Sequence, residues 1–217
     1  MIYDIKAIPT TYNHVQFRSR LEARWAAFFD LCGWEWDYEP FDLDGWAPDF
    51  MLKGKTMALV EVKPIDFRGD DKQLRSQAFS KAKKAFDTAQ LATIDEKPMD
   101  AMSEEEIEEY LLKCESMPEY EILVIGNGPF RTDWPCRWSL GYMAVERWCR
   151  GEDVADLYVG AAGTVLDYAA RWGNYAYRIG GQHDGDHHLH EIRGDAPQHL
   201  WREAGNIIQW KPKMRAA

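Results

Sequence analysis

The stretch from Pro48 to Lys63 constrains the fold more than any other part of the chain. It contains two largely apolar segments on either side of a turn at Lys53-Gly54-Lys55. Such segments around a short glycine-containing turn are typical of a β-hairpin. We therefore expect two antiparallel strands, with Asp49 lying opposite the Leu59–Glu61 region of its partner strand.

The predicted second strand has one charged face and one apolar face. Side chains two positions apart lie on the same face of a strand, so Glu61 and Lys63 lie side by side. The opposite face is expected to pack on a core and carries Ala58, Val60 and Val62. Pro64 keeps Lys63 extended and ends the strand. Taken singly, Asp49 is better explained as a turn residue after Pro48, and Glu61 with Lys63 as an exposed strand face with a cross-strand ion pair.

A helix is predicted between Ser19 and Gly33. Its apolar stripe at helical spacing consists of Leu21, Trp25, Phe28, Phe29 and Cys32. Ser19 suits the N-cap and Gly33 suits a left-handed residue after the last turn. Glu22 has two interpretations: a capping box with Ser19, or a carboxylate directed toward the sheet. We favour the second because of the acidic residues on the hairpin. Residues 1–15 are expected to form an irregular arm, with a helix start near Asn13 as the alternative.

Segments on both sides of the hairpin extend the predicted order to helix, three strands, helix and strand. Trp34–Glu39 alternates aromatic and acidic residues, and Tyr120–Gly126 is an apolar run ended by Asn127-Gly128-Pro129. A helix is expected over Lys72–Leu91, with inward residues Leu74, Ala78, Ala82, Ala85, Phe86 and Ala89. An acidic helical insertion is expected over 95–119, with a capping box at Ser103 and Glu106.

The negative charge of the chain is concentrated in one segment. The formal net charge is -10, and Asp95–Glu121 contains eleven acidic and two basic residues, a net of -9 that leaves about -1 for the rest. Lys63–Lys84 contains seven basic and three acidic residues. A local basic strip beside the predicted hairpin suits binding to phosphate in spite of the total charge.

These residues suit chemistry on a phosphodiester. Cleavage builds negative charge, which a divalent metal can neutralise while it orients water. Magnesium is held in proteins by one or two carboxylates together with waters and substrate phosphate, and Asp49 and Glu61 are the candidates. The Val62 carbonyl is a further candidate ligand, and Glu22 is a candidate to hold a second metal or to bind the first through water. Lys63 would stabilise developing charge or help deprotonate water.

The combination resembles the PD-(D/E)xK nuclease superfamily, which includes restriction endonuclease-like and RecB-type enzymes. The resemblance covers roughly Phe17 to Ile125 and rests on Glu22, Pro48-Asp49 and Glu61-Val62-Lys63 in the order α-β-β-β-α-β. Phe17–Trp25, followed by Tyr38-Glu39-Pro40, also resembles small phage-encoded members.

The resemblance implies an α/β restriction endonuclease-like core with a mixed central sheet flanked by helices. It also implies Mg²⁺- or Mn²⁺-dependent hydrolysis of nucleic acid, with DNA as the expected substrate. The implied catalytic residues are Glu22, Asp49, Glu61 and Lys63. Candidates for nucleic-acid contacts are Arg18, Arg20, Arg68, Lys72, Arg75, Gln77, Lys81 and Lys84. The chain departs from the Gln-xxx-Tyr motif of many RecB-type enzymes, because Gln77 is followed four residues later by Lys81.

Residues 136–217 are expected to form an aromatic-rich elaboration packed on a nuclease core of residues 1–135. It would cover the sheet, form a homodimer contact or select the substrate. Its predicted elements are a strand or helix at Trp138–Trp148, a helix at Val154–Trp172 closed by Gly173, a strand at Tyr175–Ile179, a helix at Asp195–Gly205 and a strand at Ile207–Lys211. His183–Glu191 is interpreted as a solvated loop, with a zinc or nickel site as the alternative. Trp201 and Trp210 suit a core or subunit interface, or stacking on bases.

Composition also bears on whether the chain is a membrane protein, a secreted protein or a cysteine-based metal-binding protein. No apolar run approaches the ~20 residues that span a bilayer, and the N-terminus lacks signal-peptide order. We expect a cytoplasmic protein without a membrane partner, in the host cytoplasm if it is phage-encoded. The four cysteines match no metal-binding spacing and are expected to be reduced thiols. Two alternatives to an enzyme remain: a catalytically idle nuclease fold used as a binding module, and an acidic inhibitor that mimics DNA.

Overall fold

The computed structural model describes residues 7–43, 45–69, 72–92, 103, 105, 107, 120–133, 136–144, 152–160, 163–172, 176–181 and 190–209. Over these residues the elements in chain order are β1 (Thr10–Tyr12), β2 (Val15–Phe17), α1 (Arg20–Cys32), β3 (Glu35–Tyr38), β4 (Phe50–Lys53), β5 (Met57–Val62), α2 (Lys72–Ala92), β6 (Tyr120–Arg131), β7 (Trp138–Ala144), β8 (Glu152–Val159), β9 (Leu166–Ala170) and α3 (Ala196–Ile207). The expected order of helix, three strands, helix and strand is confirmed from α1 to β6.

A mixed seven-stranded sheet forms the centre, in the order β3-β4-β5-β6-β7-β8-β9. Strands β5 and β6 are parallel, and each of the other neighbouring pairs is antiparallel. A parallel pair needs a crossover connection, and α2 lies between β5 and β6 in the chain. The expected α/β class with a mixed sheet and helices is therefore confirmed.

The hairpin predicted from Pro48 to Lys63 is present as β4 and β5. Phe50 pairs with Val60, so the chain at Asp49 lies beside the second strand as expected. Ala58, Val60 and Val62 are buried in the main core, which confirms the predicted apolar face. Their neighbour Leu59 points to the second core cluster on the other side of the sheet.

Helix α1 begins and ends where the cap residues predict. The Ser19 side chain accepts a hydrogen bond from the Glu22 amide, and Gly33 has a φ of 75°. The stripe residues Trp25, Phe28, Phe29 and Cys32 are fully buried. Helix α3 packs on this helix: Arg24 donates two hydrogen bonds to the Trp201 carbonyl and lies 4.0 Å from the centre of the Trp201 ring. Trp201 therefore belongs to the packing between the helices.

Residues 1–15 were expected to form an irregular arm, and this is wrong for residues 10–15. The alternative helix start near Asn13 is also wrong, because α1 begins at Arg20. Strands β1 and β2 form an antiparallel hairpin whose turn is Asn13 and His14, with φ values of 45° and 65°. A two-residue turn with two left-handed residues matches the twist of a hairpin. Without glycine at the turn, local sequence gave no hairpin signal. Residues 1–6 lie outside the described residues.

Strand β6 is longer than predicted. It continues past Gly126 to Arg131, through an irregularity in its pairing with β7 between Ile125 and Phe130. A bulge tolerates Pro129, which would otherwise interrupt the hydrogen-bond ladder. The side chain of Trp201 packs so close to Gly128 that a Cβ atom there would lie 2.5 Å from its indole nitrogen.

Helix α2 matches its predicted range, but one inward residue is wrong. Ala78 and Ala82 are buried as expected, whereas Leu74 is 40% exposed and Phe79 is buried instead. The predicted inward side chains of Ala85, Phe86 and Ala89 lie outside the described residues. The acidic helical insertion over 95–119 also falls mostly outside them.

The C-terminal region contains the largest errors of prediction. Val154–Trp172 was expected to be a helix, but the chain forms the antiparallel strands β8 and β9. Their apolar residues are buried on both faces, in the main core and in a smaller cluster opposite, and periodicity does not distinguish such short apolar runs from a helix. Gly173 lies outside the described residues.

Four further C-terminal predictions have different outcomes. Trp138–Trp148 is a strand as far as Ala144, and the helix expected over Asp195–Gly205 is confirmed as α3. Residues 176–179 are not a strand; this segment covers the edge of β9, where the Arg178 amide donates to the Tyr168 carbonyl. Ile207 ends α3 and residues 208–209 form a turn, so the expected final strand is wrong over these residues.

Two other findings concern membranes and thiols. In the described residues, no helix is long and apolar enough to cross a membrane. Cys32 is buried and Cys136 is exposed, and neither forms a disulfide. Cys114 and Cys149 lie outside the described residues, as do His183, Asp184, Asp186, His187 and His188 of the predicted histidine loop. Glu191 of that loop pairs with Arg137.

A buried ion pair joins β8 to the end of β9. Both carboxylate oxygens of Asp156 accept hydrogen bonds from the Arg171 guanidinium at 2.7 and 2.8 Å, and Ser139 also donates to Asp156. Asp156 is fully buried and Arg171 is 8% exposed. A buried charge that loses its partner is strongly destabilising, so this pair constrains the pairing of the two strands.

We predict that Asp156→Ala lowers the free energy of unfolding by about 3–5 kcal/mol, because it leaves the Arg171 charge buried without a carboxylate. The double variant Asp156→Leu/Arg171→Met is expected to recover much of this loss. Chemical denaturation measures both. Asp37→Ala is the matched control, since it breaks the half-exposed pair with Lys53 and should cost about 0–1 kcal/mol. Equal losses at the buried and half-exposed pairs would contradict the prediction.

Candidate active site

Asp49 lies immediately before β4 and is tied to β5 through both its backbone and its side chain. Its amide donates to the Val60 carbonyl at 2.8 Å. One carboxylate oxygen accepts from the Val62 amide at 2.7 Å, and the other accepts from the Arg18 guanidinium at 2.7 Å. Asp49 is only 6% exposed. The hairpin therefore fixes this carboxylate in a nearly buried position.

Glu61 and Lys63 lie together at the end of β5, as their spacing predicts. One carboxylate oxygen of Glu61 pairs with the Lys63 ammonium, and the other accepts from the Trp46 indole at 2.6 Å. The Lys63 amide donates to the Ile125 carbonyl, which continues the pairing toward β6. Glu61 is 5% exposed, whereas the Lys63 side chain is 41% exposed. The ammonium group is thus placed between a buried carboxylate and solvent.

Glu22 combines features of both predicted roles. Its carboxylate accepts from the Ser19 hydroxyl at 2.6 Å, while that hydroxyl accepts from the Glu22 amide at 3.1 Å. The second carboxylate oxygen accepts from the Tyr38 hydroxyl at 2.6 Å, on β3. The side chain therefore helps close the helix N-terminus and also joins α1 to the edge of the sheet. The Glu22 carboxylate contacts the Ser19 hydroxyl, whereas in a capping box it would accept from the Ser19 backbone amide.

Burial and like charge raise the pKa of Asp49 to about 7. Removal of the carboxylate from water is the largest cause, and the charge of Glu61 adds to it. The Val62 amide and the Lys63 charge act in the opposite direction, and Glu22 raises the pKa further. A raised carboxyl pKa next to a second carboxylate marks a place where additional positive charge would be stabilising.

Sequence reasoning missed three residues that support the carboxylates. Trp46 donates to Glu61, Tyr38 donates to Glu22, and Glu39 pairs with Arg18 at 2.8 Å. Tyr38-Glu39-Pro40 had been noted only as part of the resemblance. A buried indole nearly always has a hydrogen-bond acceptor, which is the one local signal that Trp46 offered. The acceptor itself is fifteen residues away in the chain.

The predicted nucleic-acid contacts lie in different environments. Seven of them are exposed, namely Arg18, Arg20, Arg68, Lys72, Gln77, Lys81 and Lys84. Arg68 pairs with Asp66. Arg75 instead pairs with Glu152 at 2.5 Å and lies 3.8 Å from the centre of the Tyr142 ring, so it joins α2 to the sheet. Arg18 contacts the site directly through Asp49.

A divalent metal at this site would need oxygen ligands from the protein. Among the described residues, no three or more His, Cys, Asp or Glu side chains are grouped so as to hold a metal ion. Magnesium needs only one or two carboxylates besides water and phosphate, and these are hard oxygen donors. Asp49 and Glu61 fit that requirement, whereas Glu22 is not gathered with them into a three-carboxylate group.

Comparison of the chain with protein-family models, with curated proteins and with solved structures finds no match.

The raised pKa of Asp49 predicts a specific dependence of stability on pH in the absence of divalent metal. Because the folded state binds the proton more tightly than a carboxyl with its ordinary pKa near 4, ionisation of Asp49 destabilises the fold as the pH rises from about 4 through about 7. The contribution is on the order of a few kcal/mol.

Asp49→Asn removes this contribution. The free energy of unfolding of the variant minus that of the natural protein should therefore increase between about pH 4.5 and about pH 8, measured by urea denaturation in EDTA. The comparison uses the change with pH, so any cost of the substitution that does not depend on pH leaves it unaffected. A difference that is the same at both pH values would contradict the raised pKa.

Proposed function

We propose that this protein is a metal-dependent nuclease with a restriction endonuclease-like core, and that it hydrolyses phosphodiester bonds of nucleic acid. The observation that carries the proposal is the arrangement of Asp49, Glu61 and Lys63. Two nearly buried carboxylates and one half-exposed ammonium group lie at the ends of two paired strands. The element order from α1 to β6 also supports it.

Asp49 and Glu61 would hold Mg²⁺ or Mn²⁺, with the Val62 carbonyl as a further oxygen donor. Bound there, the metal would supply positive charge to neutralise the phosphate and would lower the pKa of a coordinated water. The protein contributes fixed geometry. The Val62 amide orients the Asp49 carboxylate, and the Trp46 indole orients that of Glu61, so both acceptors are positioned before a ligand arrives.

Lys63 would act on the substrate side of the site. Its ammonium group is paired with Glu61 yet 41% exposed, so it can approach a phosphate without leaving the end of β5. A positive charge at that point stabilises an anionic transition state or holds an attacking water in position. Glu22 is linked to the site through Tyr38 and would influence it through its charge or through water.

DNA is the substrate that we propose, on the resemblance of the chain to the nuclease superfamily. The exposed basic side chains of Lys72 and Lys81 on α2 follow the site in the chain and provide charge for phosphate contacts. Such contacts carry no sequence information, so this surface supports affinity but not a particular target sequence.

One observation favours a second candidate, a catalytically idle nuclease fold that serves as a binding module. Each of the six carboxylate oxygens of Glu22, Asp49 and Glu61 already accepts from, or pairs with, a protein group. A site satisfied in this way is compatible with a purely structural cluster. The two candidates differ in whether a divalent metal produces cleavage.

We predict Mg²⁺- or Mn²⁺-dependent cleavage of at least one of four substrates: single-stranded, duplex or branched DNA, or RNA. EDTA should abolish it. Asp49→Ala and Lys63→Ala should each lower the rate at least about a hundredfold, because the first removes a proposed metal ligand and the second removes the positive charge proposed to act on the reacting phosphate. Gel electrophoresis of labelled substrates provides the measurement.

Lys53→Ala is the matched control, because Lys53 is a half-exposed lysine of the same hairpin that pairs with Asp37 away from the site. It should leave the rate unchanged. If none of the substrates is cut in the presence of metal, the enzyme proposal fails. If cleavage occurs and survives both site substitutions, the residue assignment fails.

A further inference from the structure

Arg18 lies between two carboxylates from different parts of the chain. Its terminal nitrogen donates to Asp49 at 2.7 Å, and its Nε atom pairs with Glu39 at 2.8 Å. The Asp49 side chain is 8% exposed, whereas the Arg18 side chain is 55% exposed. The guanidinium therefore covers a buried carboxylate from the solvent side.

The backbone around this contact is specialised to hold it. Glu39 has a φ of 46°, a left-handed conformation that is uncommon for a residue other than glycine, asparagine or aspartate. Its amide donates to the Asp49 carbonyl at 3.0 Å. Glu39 thus fixes the backbone of Asp49 while its side chain holds Arg18. Unfavourable backbone conformations of this kind persist where the surrounding structure enforces them, often at functional sites.

The same carboxylate has to serve the metal in the proposed function. The Arg18 guanidinium already supplies positive charge at one oxygen of Asp49, and a divalent cation on Asp49 would lie close to that charge. Two cations at such short separation repel each other strongly where water is largely excluded. Metal binding and the Arg18–Asp49 contact therefore oppose each other.

We propose that Arg18 changes partner when the metal binds: it neutralises Asp49 in the metal-free protein, and the arriving cation displaces it toward the phosphate of the substrate. This inference rests on the proposed function. The half-exposed Arg18 side chain has room to turn outward, while the Arg18 Nε atom stays paired with Glu39 near the site. A planar guanidinium with several donors is well suited to bind phosphate oxygens. Arg18 is then an internal counter-ion of Asp49 in the metal-free protein.

The first test measures Mn²⁺ affinity by electron paramagnetic resonance at about pH 8, with the full chain. Arg18→Ala should bind Mn²⁺ about fivefold more tightly than the natural protein, because the competing cation is gone. Arg202→Ala is the matched control, since Arg202 is an exposed arginine on α3 to which no role at the site is assigned, and it should leave the affinity unchanged. Arg18→Gln provides a second variant if the alanine variant does not fold, as judged by circular dichroism.

The second test measures binding of a labelled DNA oligonucleotide in the Lys63→Ala background, which prevents cleavage. Addition of Arg18→Ala should weaken DNA binding when Mg²⁺ is present and have no effect in EDTA. Arg20→Ala should have the same effect in both conditions. A loss of DNA affinity that is equal with and without metal would contradict the change of partner.

The outcomes separate this inference from the proposed function. Mn²⁺ affinity that is equal or weaker in Arg18→Ala overturns the inference, while metal-dependent cleavage by the natural protein still supports the nuclease. Absence of Mn²⁺ binding in both the natural protein and the variant contradicts the nuclease proposal and the inference together. Binding by the variant alone would contradict the displacement of Arg18, because it would show that the cation does not replace the guanidinium at Asp49 in the natural protein.

Discussion

The hydrogen bond from the Val62 amide to the Asp49 carboxylate is the contact on which the candidate site depends. It fixes the Asp49 side chain, which lies just before β4, to the backbone of β5. The hydrogen bond from the Asp49 amide to the Val60 carbonyl fixes the Asp49 backbone beside it. Because this carboxylate is nearly buried beside Glu61, its negative charge is unfavourable without compensation. Arg18 and Lys63 supply that compensation, one at each carboxylate. The proposed metal would also compensate the negative charges of these two carboxylates.

The geometry of the hairpin and of α1 could be predicted because their signals are local. The two-residue spacing of Glu61 and Lys63 dictates a shared face, and Ser19 and Gly33 mark the helix ends through their own conformational preferences. The contact between Arg18 and Asp49 joins residues thirty-one positions apart, and it depends on how α1 packs on the sheet. Spacing along the chain cannot show which basic residue reaches a carboxylate. Arg18 was accordingly predicted only as a contact to nucleic acid.

The errors in the C-terminal region have a related physical cause. Strands β8 and β9 carry buried polar residues, such as Asp156 and Asp167, on the face opposite the main core. Their burial is compensated by Arg171 and by backbone amides of residues 179 and 180, which are distant partners that the local sequence does not reveal. Because apolar and polar residues are mixed in this way, the spacing of the apolar residues does not distinguish a helix from a strand. The pairing of β8 and β9 in the sheet overrides the local conformational preference of these segments.

The central claim is that Asp49 and Glu61 form a divalent metal site beside Lys63. Anomalous diffraction from crystals of the protein soaked in Mn²⁺ tests it most directly. The account predicts an anomalous peak bonded to carboxylate oxygens of both Asp49 and Glu61, with the Arg18 guanidinium moved away from Asp49. Mn²⁺ bound only elsewhere, or an unchanged Arg18–Asp49 contact without a peak at saturating Mn²⁺, would contradict it.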